Sequence, residues 1–289
     1  MTADRTVAQA GVSKLERTSA GPEQEIRRYG NQEWAQEVLA LARRWFIQVL
    51  RDKLNLIFSV IQPAIWLLFF GSAVARAIDP EVIGTRNYLG FVLPGIIAFT
   101  VVTNSVSGAM PLLWDKEGGY LDKLLSMPIA RSSVIVSRFV FQLALVIAQV
   151  VLVLLVGLLM GVRVAAGIPG VLVILLADAL LIMALTAASA ALVYRVPTHG
   201  TFFAVTGFLM LPMLFMSSAF VPLTAMPSWM AAVARANPLT YAIEAMRILI
   251  LDGWERGLVA ALAVLGVFAG GLLALGTYEF RRHTGERVN

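Results

Sequence analysis

The stretch from Leu143 to Met160, LALVIAQVVLVLLVGLLM, decides the fold class. Every residue in it is apolar or glycine except Gln149. A strand of a transmembrane barrel would alternate apolar and polar residues over about ten positions, and this stretch has no such alternation. A helix of this length, at about 1.5 Å per residue, crosses most of a hydrocarbon core of about 30 Å. The stretch therefore predicts a transmembrane helix.

The composition indicates that this segment is one of several. Apolar residues make up 58% of the 289 residues and charged residues 14%, whereas soluble domains carry about 25% charged residues. The mean hydropathy is +0.78. Spans are predicted near residues 55–77, 88–110, 138–161, 168–193, 201–223 and 257–279. We therefore predict an all-α integral membrane protein with a six-helix transmembrane domain over residues 54–280.

The distribution of basic residues predicts the topology. Cytoplasmic segments of membrane proteins carry an excess of Lys and Arg, and most of the 23 such residues lie before the first predicted span, in the second loop and after the last span. Both termini are therefore expected to be cytoplasmic, in a bacterial-type plasma membrane. Residues 1–30 are predicted to be a disordered tail and residues 281–289 a second tail. The net charge of +5 needs no nucleic-acid partner.

Residues 31–53 have the pattern of an amphipathic helix. Trp34, Val38, Ala42, Trp45 and Val49 recur at spacings of three and four residues, with charged residues between them. Such a helix lies in the membrane interface, against lipid headgroups. It is either a plain anchor or an elbow helix that also contacts a soluble partner.

A polar segment from Trp114 to Arg131 separates the second and third predicted spans. It combines charged residues with an apolar patch at helical spacing and is terminated by Pro128. The patch consists of Tyr120, Leu121, Leu124 and Leu125. The segment predicts a short helix that docks in a groove of a partner, or one that only caps two spans.

Three prolines, Pro222, Pro227 and Pro238, interrupt a moderately apolar region before the last span. The pieces between them are too short to cross a bilayer, so they predict short helices that enter from the outer face and return. Broken backbone at membrane depth is tolerated only inside protein or along a wet cavity. The region is therefore a candidate outer gate or a plain structured loop. Glu244 and Arg247 are spaced to pair with each other.

Polar residues inside the spans are candidates for a substrate path, since they are costly in hydrocarbon. They are Asp178, Gln142, Gln149 and Asn104. Asp178 either lines such a path or is hydrogen-bonded within the packing. With two histidines and no cysteine, no metal site is predicted, and His199 is interpreted as a turn residue.

Two blocks of sequence resemble the ABC type-2 exporter permeases. The block Glu117–Pro128, EGGYLDKLLSMP, resembles the cytoplasmic signature of that family. Ser217–Trp229, followed by Asn237-Pro-Leu-Thr-Tyr241, is similar to its outer re-entrant segment. The likeness is nearest to the daunorubicin-resistance and nodulation-factor permeases.

The resemblance assigns roles to both blocks. It implies that a coupling helix contacts an ATPase through Glu117, Gly118, Tyr120, Leu121, Asp122, Leu124, Leu125 and Pro128. It also implies an outer gate formed by Phe220, Pro222, Pro227, Trp229, Asn237, Pro238 and Tyr241.

The chain carries no ATPase motif and no predicted catalytic residue. A P-loop needs Gly-Lys followed by Ser or Thr, and the sequence has no Gly-Lys dipeptide. The resemblance implies that ATP and Mg²⁺ bind to a separate cytoplasmic ATPase present in two copies, beside a second permease chain in a homodimer. The expected function is export of a hydrophobic or amphiphilic compound such as a drug, lipid, glycolipid or polyketide. The alternative is an ion-coupled secondary transporter that uses Asp178.

Overall fold

The computed structural model describes residues 31–51, 53–69, 85, 87–118 and 131–285, and all regular structure within these ranges is helical. A 3₁₀ turn, Leu223–Ala225, accompanies ten α-helices in this part of the chain. The helices are α1 (Asn31–Arg51), α2 (Lys53–Phe69), α3 (Tyr88–Ser107), α4 (Met110–Glu117), α5 (Arg131–Leu159), α6 (Gly167–Arg195), α7 (His199–Phe215), α8 (Ser228–Arg235), α9 (Pro238–Leu251) and α10 (Arg256–Gly285).

Four of the described helices, α3, α5, α6 and α10, are long and apolar enough to cross a membrane. The first and fifth predicted spans correspond to α2 and α7, which have 17 residues each. Helix α2 extends to Phe69, and the structure does not describe the residues that directly follow it. The protein is thus a multi-pass membrane protein with four candidate spans in its described part, and the count of six stays a prediction.

The fifth predicted span, residues 201–223, is longer than the helix found there. Helix α7 ends at Phe215, and the residues after it, up to Val221, are apolar except Ser217 and Ser218. The Ser217 hydroxyl donates to Leu214 O at 2.6 Å, and the chain turns at Met216. This local hydrogen bond satisfies a carbonyl at the helix end and ends the helix inside the apolar run.

Helices α6 and α10 form the most extensive helix pair of the described chain. Their axes approach closely at Gly276, where an added Cβ atom would lie 2.9 Å from Ala187 O. Small residues at such crossings let helix backbones pack directly in membranes. Helix α3 lies on the other side of α6, and its central residues Val92, Ile97 and Val101 are fully buried.

Replacing Gly276 by leucine is expected to lower the free energy of unfolding by about 2 kcal/mol, the usual cost of overpacking, because the new side chain meets the α6 backbone. Gly271→Leu is the matched control, since no atom lies within 4 Å of a Cβ at that position of the same helix. Thermal unfolding of both variants in detergent measures the difference. Equal melting temperatures would refute this account of the crossing.

Helix contacts define two ends of the bundle. At one end, which we call the hairpin end after the hairpin of α8 and α9, the turn Gly161–Ala166 meets the end of α9. Ala165 N donates to Ile250 O at 3.1 Å and Ala166 N to Leu249 O at 3.0 Å. At the opposite, charged end, Arg195 of α6 forms an ion pair with Glu279 of α10. Glu117 of α4 contacts His199 of α7 at this same end.

The amphipathic helix α1 packs against the bundle at the charged end. Its buried Trp45 lies 6.5 Å from the Phe141 ring of α5, and the Arg138 guanidinium sits 4.5 Å over the Trp45 ring. The Ser133 hydroxyl donates to Glu37 Oε2 at 2.8 Å. The apolar side of α1 therefore faces helix α5, while Arg43, Arg44 and Arg51 are exposed.

Candidate functional site

Glu117, the first predicted coupling residue, joins two helices at the charged end. Its Oε1 accepts a hydrogen bond from His199 N at 2.8 Å, and its Oε2 lies 3.0 Å from His199 Nδ1. His199 begins α7, where the first backbone N–H groups lack partners within the helix. The Thr198 hydroxyl caps the same turn by accepting from Thr201 N at 3.3 Å. Glu117 thus fixes the end of α4 to the start of α7.

Of the other predicted coupling residues, Gly118 alone lies in the part of the chain that the structure describes. Gly118 is exposed and continues α4, with its N–H donating to Trp114 O at 2.8 Å. Residues beyond it lie outside the described part of the chain: Tyr120, Leu121, Asp122, Leu124, Leu125 and Pro128. Their coupling role stays a prediction.

Helices α8 and α9 form a helical hairpin whose bend is at Asn237, and we refer to residues 228–251 as the hairpin. Helix α9 has 14 residues, about 21 Å at 1.5 Å per residue, and its far end lies at the hairpin end of the bundle. The bend is therefore well inside the bundle. Asn237 Oδ1 accepts from Leu239 N at 3.0 Å and caps α9, whose first residue is Pro238.

The Asn237 amide also holds the hairpin to α7. Its Nδ2 donates to Met213 O at 2.6 Å and to Met216 O at 3.1 Å. Both carbonyls belong to the last turn of α7, where helix carbonyls lack backbone donors. Proline at N1 and asparagine at the N-cap are preferred at helix starts, and here the cap side chain serves two helices.

Asn237→Ala is expected to lower the free energy of unfolding by about 2 kcal/mol, because it removes a cap and two hydrogen bonds in a buried site. Asn237→Asp keeps the cap acceptor but places a carboxylate against two carbonyl oxygens, so it should destabilise at least as much. Denaturant titration in detergent measures both. An aspartate variant as stable as the wild type would show that the bonds to α7 contribute nothing.

Arg247 of α9 fastens the hairpin to the turn after α7 and to α3. Its guanidinium donates to Ser218 O at 2.5 Å and to Phe91 O at 3.2 Å, with Ala219 O at 3.4 Å. Its Cζ lies 3.7 Å from the centroid of the Phe91 ring. Close by, Gly95 allows α3 to meet this turn, since a Cβ there would lie 2.9 Å from Ala219 O. The sequence suggested only a pair with Glu244.

The remaining outer-gate candidates lie around this hairpin. The Tyr241 hydroxyl donates to Arg235 O at 2.7 Å, and its ring stacks on Phe268 at 6.1 Å. The Phe220 ring lies 5.6 Å from Phe215. Pro222 precedes the 3₁₀ turn and Pro227 precedes α8. Trp229 is exposed.

Two of the four path candidates contact each other. Gln142 Nε2 donates to Asn104 O at 2.8 Å, so these two residues are neighbours near the charged end. Asp178 and Gln149 are buried, and among the described residues neither Asp178 carboxylate oxygen nor Gln149 Oε1 has a hydrogen-bond partner. The Gln142 side chain is therefore bonded to the Asn104 backbone, and neither residue hydrogen-bonds to Asp178.

Residues 31–51, 53–69, 85, 87–118 and 131–285 contain no group of three or more His, Asp or Glu side chains that could hold a metal ion. Sequence reasoning missed two contacts that organise the site: His199 with Glu117, and Arg247 with three carbonyls. The first pair is 82 residues apart in sequence. No local pattern could have joined them.

The sequence of this chain matches one known protein family. The family described as ABC-2 type transporter matches residues 36–251, from α1 to the end of α9. The chain belongs to the ABC-2 type transporter family. The matched range includes Glu117 and His199, the hairpin, and the four path candidates.

Relatives of this ABC-2 type transporter carry permease names. It is 38% identical to a putative transport permease, ycf38, of Cyanophora paradoxa over 217 residues, 74% of each chain. It is 28% identical to the daunorubicin resistance ABC transporter permease protein DrrB1 of Streptomyces coeruleorubidus over 225 residues, 74% of this chain and 77% of the other. It is 23% identical to the probable doxorubicin resistance ABC transporter permease protein DrrC of Mycobacterium tuberculosis, over 78% of this chain and 83% of the other. The resemblance seen in the sequence is thus confirmed, and an ion-coupled secondary transporter is not favoured.

Proposed function

We propose that this chain is the membrane subunit of an ATP-driven exporter that moves a hydrophobic or amphiphilic compound out of the cytoplasm or the inner leaflet. The observation that carries the proposal is family membership from α1 to α9, in a sequence without a Gly-Lys dipeptide for a P-loop. Energy must then come from another subunit. The relatives named for daunorubicin and doxorubicin resistance support a compound of this class.

Helix α7 provides a mechanical route between the predicted coupling segment and the hairpin. Its first residue, His199, is bound by Glu117, and the carbonyls of its last turn are bound by Asn237. A helix of 17 residues spans about 25 Å. We infer that a push on the coupling segment at Glu117 moves α7 as a rigid body and displaces the hairpin at its far end, which opens the outer gate.

The working complex, in this proposal, contains two cytoplasmic ATPase subunits that bind ATP and Mg²⁺, and two permease chains. Exposed apolar side chains on α2 and α7, such as Leu54, Phe58 and Phe208, provide a face for lipid or for the second permease chain. The complex is placed in a bacterial-type plasma membrane with both termini cytoplasmic, in agreement with the excess of basic residues near the termini.

Co-purification tests the proposal. The tagged chain is extracted from its native membrane in mild detergent, its stoichiometric partners are identified, and ATP hydrolysis is measured. We expect a P-loop ATPase at one copy per permease chain. A chain that purifies without an ATPase in several mild detergents, and that drives ion-dependent transport in vesicles, would overturn the exporter assignment.

A further inference from the structure

A cavity of about 520 Å³ lies near the charged end between α1, α2, α3, α5 and α7. Aromatic side chains from each of these helices line it: Trp45, Trp66, Phe99, Phe141 and Phe203. Small-molecule sites have volumes of about 300–1,000 Å³ and mostly apolar walls with a few placed polar groups. The cavity has the size and wall chemistry of such a site, and helices of a single chain form it.

The polar groups of the cavity are amides and hydroxyls. Among the described residues none of those lining it is charged; the polar wall includes Gln62, Thr103, Asn104 and Gln142. A charged ligand would give up part of its hydration against these mostly apolar walls and would meet no counter-charge among the lining residues, which is costly. The walls therefore favour an uncharged ligand.

The hydrogen bonds within the cavity wall show which polar groups a ligand must carry. The Thr103 hydroxyl donates to Phe99 O at 2.9 Å, Asn104 Nδ2 to Thr100 O at 2.8 Å, and Gln142 Nε2 to Asn104 O at 2.8 Å. These donors are engaged with backbone. Within the described residues, the side-chain oxygens of Asn104 and Gln142 accept no hydrogen bond. The wall therefore offers two acceptors to a ligand that carries a hydrogen-bond donor.

We propose that this cavity binds an uncharged aromatic amphiphile that carries an N–H or O–H donor directed at the Asn104 and Gln142 side-chain oxygens. This inference rests on the proposed function, because the ligand of the cavity would be the compound that the exporter binds near the charged end before export. The binding itself needs only this chain, so it is tested without the ATPase.

Three probes that share one ring system test the proposal on the unmodified full chain in lipid nanodiscs. They are N-phenyl-1-naphthylamine, which has an N–H donor, its N-methyl derivative, which has none, and the anion 8-anilino-1-naphthalenesulfonate. Saturable energy transfer from tryptophan to the probe is measured, with empty nanodiscs subtracted; Trp45, Trp66 and Trp114 line the cavity. We expect the N–H probe to bind about tenfold more tightly than either of the others, the equivalent of one buried hydrogen bond. Equal affinities for the N–H and N-methyl probes, or tighter binding of the anion, would overturn the proposal.

Variants locate the binding. Gln142→Leu removes the acceptor at similar side-chain volume and should weaken the N–H probe about tenfold while leaving the N-methyl probe unchanged. Gln36→Leu is the same replacement at an exposed position of α1 outside the cavity and should change neither affinity. Unchanged binding of the N–H probe to Gln142→Leu would show that the probe lies elsewhere, in lipid or at another surface. If the unmodified chain shows no saturable binding of the N–H probe but still co-purifies with an ATPase, this inference alone is rejected and the exporter proposal stands.

Discussion

Replacement of Arg247 by methionine is expected to lower the free energy of unfolding by about 3 kcal/mol, the upper end of what hydrogen bonds from a charged group contribute. The guanidinium donates to carbonyls of α3 and of the turn after α7, and methionine can donate to neither. The change also removes a positive charge that acts on Glu244 from the same helix. Denaturant titration of the purified variant in detergent measures the loss.

A lysine at the same position separates charge from geometry. Arg247→Lys retains the positive charge beside Glu244, but an ammonium group cannot reproduce the planar fork that reaches Phe91 O and Ser218 O together. We expect it to recover less than half of the lost stability. Full recovery would mean that Arg247 acts only as a counter-charge to Glu244.

Glu117→Ala is expected to reduce ATP-dependent export about fivefold while the protein remains in the membrane and the associated ATPase keeps hydrolysing ATP. The variant loses the acceptor for His199 N and the contact with the His199 ring. Both residues are exposed, and an exposed pair of this kind contributes at most about 1 kcal/mol, or about a factor of five in an equilibrium. Transport into inverted vesicles, measured beside ATP hydrolysis, tests the expectation.

Two further variants separate the backbone contact between Glu117 and His199 from the contact with the His199 ring. Glu117→Gln keeps an oxygen that accepts from His199 N and should retain most of the export. His199→Ala keeps the backbone N–H but loses the ring, and should lie between the wild type and Glu117→Ala. Export at the wild-type rate in Glu117→Ala would show that the contact between Glu117 and His199 does not couple ATP hydrolysis to export.

The long apolar helices were predictable because a hydrocarbon core imposes their length and composition. The predicted spans near residues 138–161, 168–193 and 257–279 overlap α5, α6 and α10 closely. Helix α5 nevertheless begins at Arg131, seven residues before its predicted start. The polar residues Ser133 and Arg138 in its first turns pack against α1, and a hydropathy pattern cannot register such tertiary contacts.

Helix α7 and the hairpin show where local sequence reasoning stops. The prolines predicted short helices in this region, and Asn237-Pro238 carries a recognisable helix start. The early end of α7 depends on Ser217 and on the donors that Arg247 supplies from 28 and 29 residues away. A hydropathy window reads that region as one continuous span because it contains no information on which distant donor reaches each carbonyl.

We propose that a cytoplasmic ATPase docks at the charged end, beside Glu117 and the start of α7. The chain contains no cysteine, so a single introduced cysteine can carry a photoreactive maleimide in native membranes. We compare Gly200→Cys, exposed in the first turn of α7, with Trp254→Cys, exposed at the hairpin end. The account predicts a crosslinked product with a P-loop ATPase from position 200 and none from position 254. A crosslink to the ATPase from position 254, with none from position 200, would contradict it.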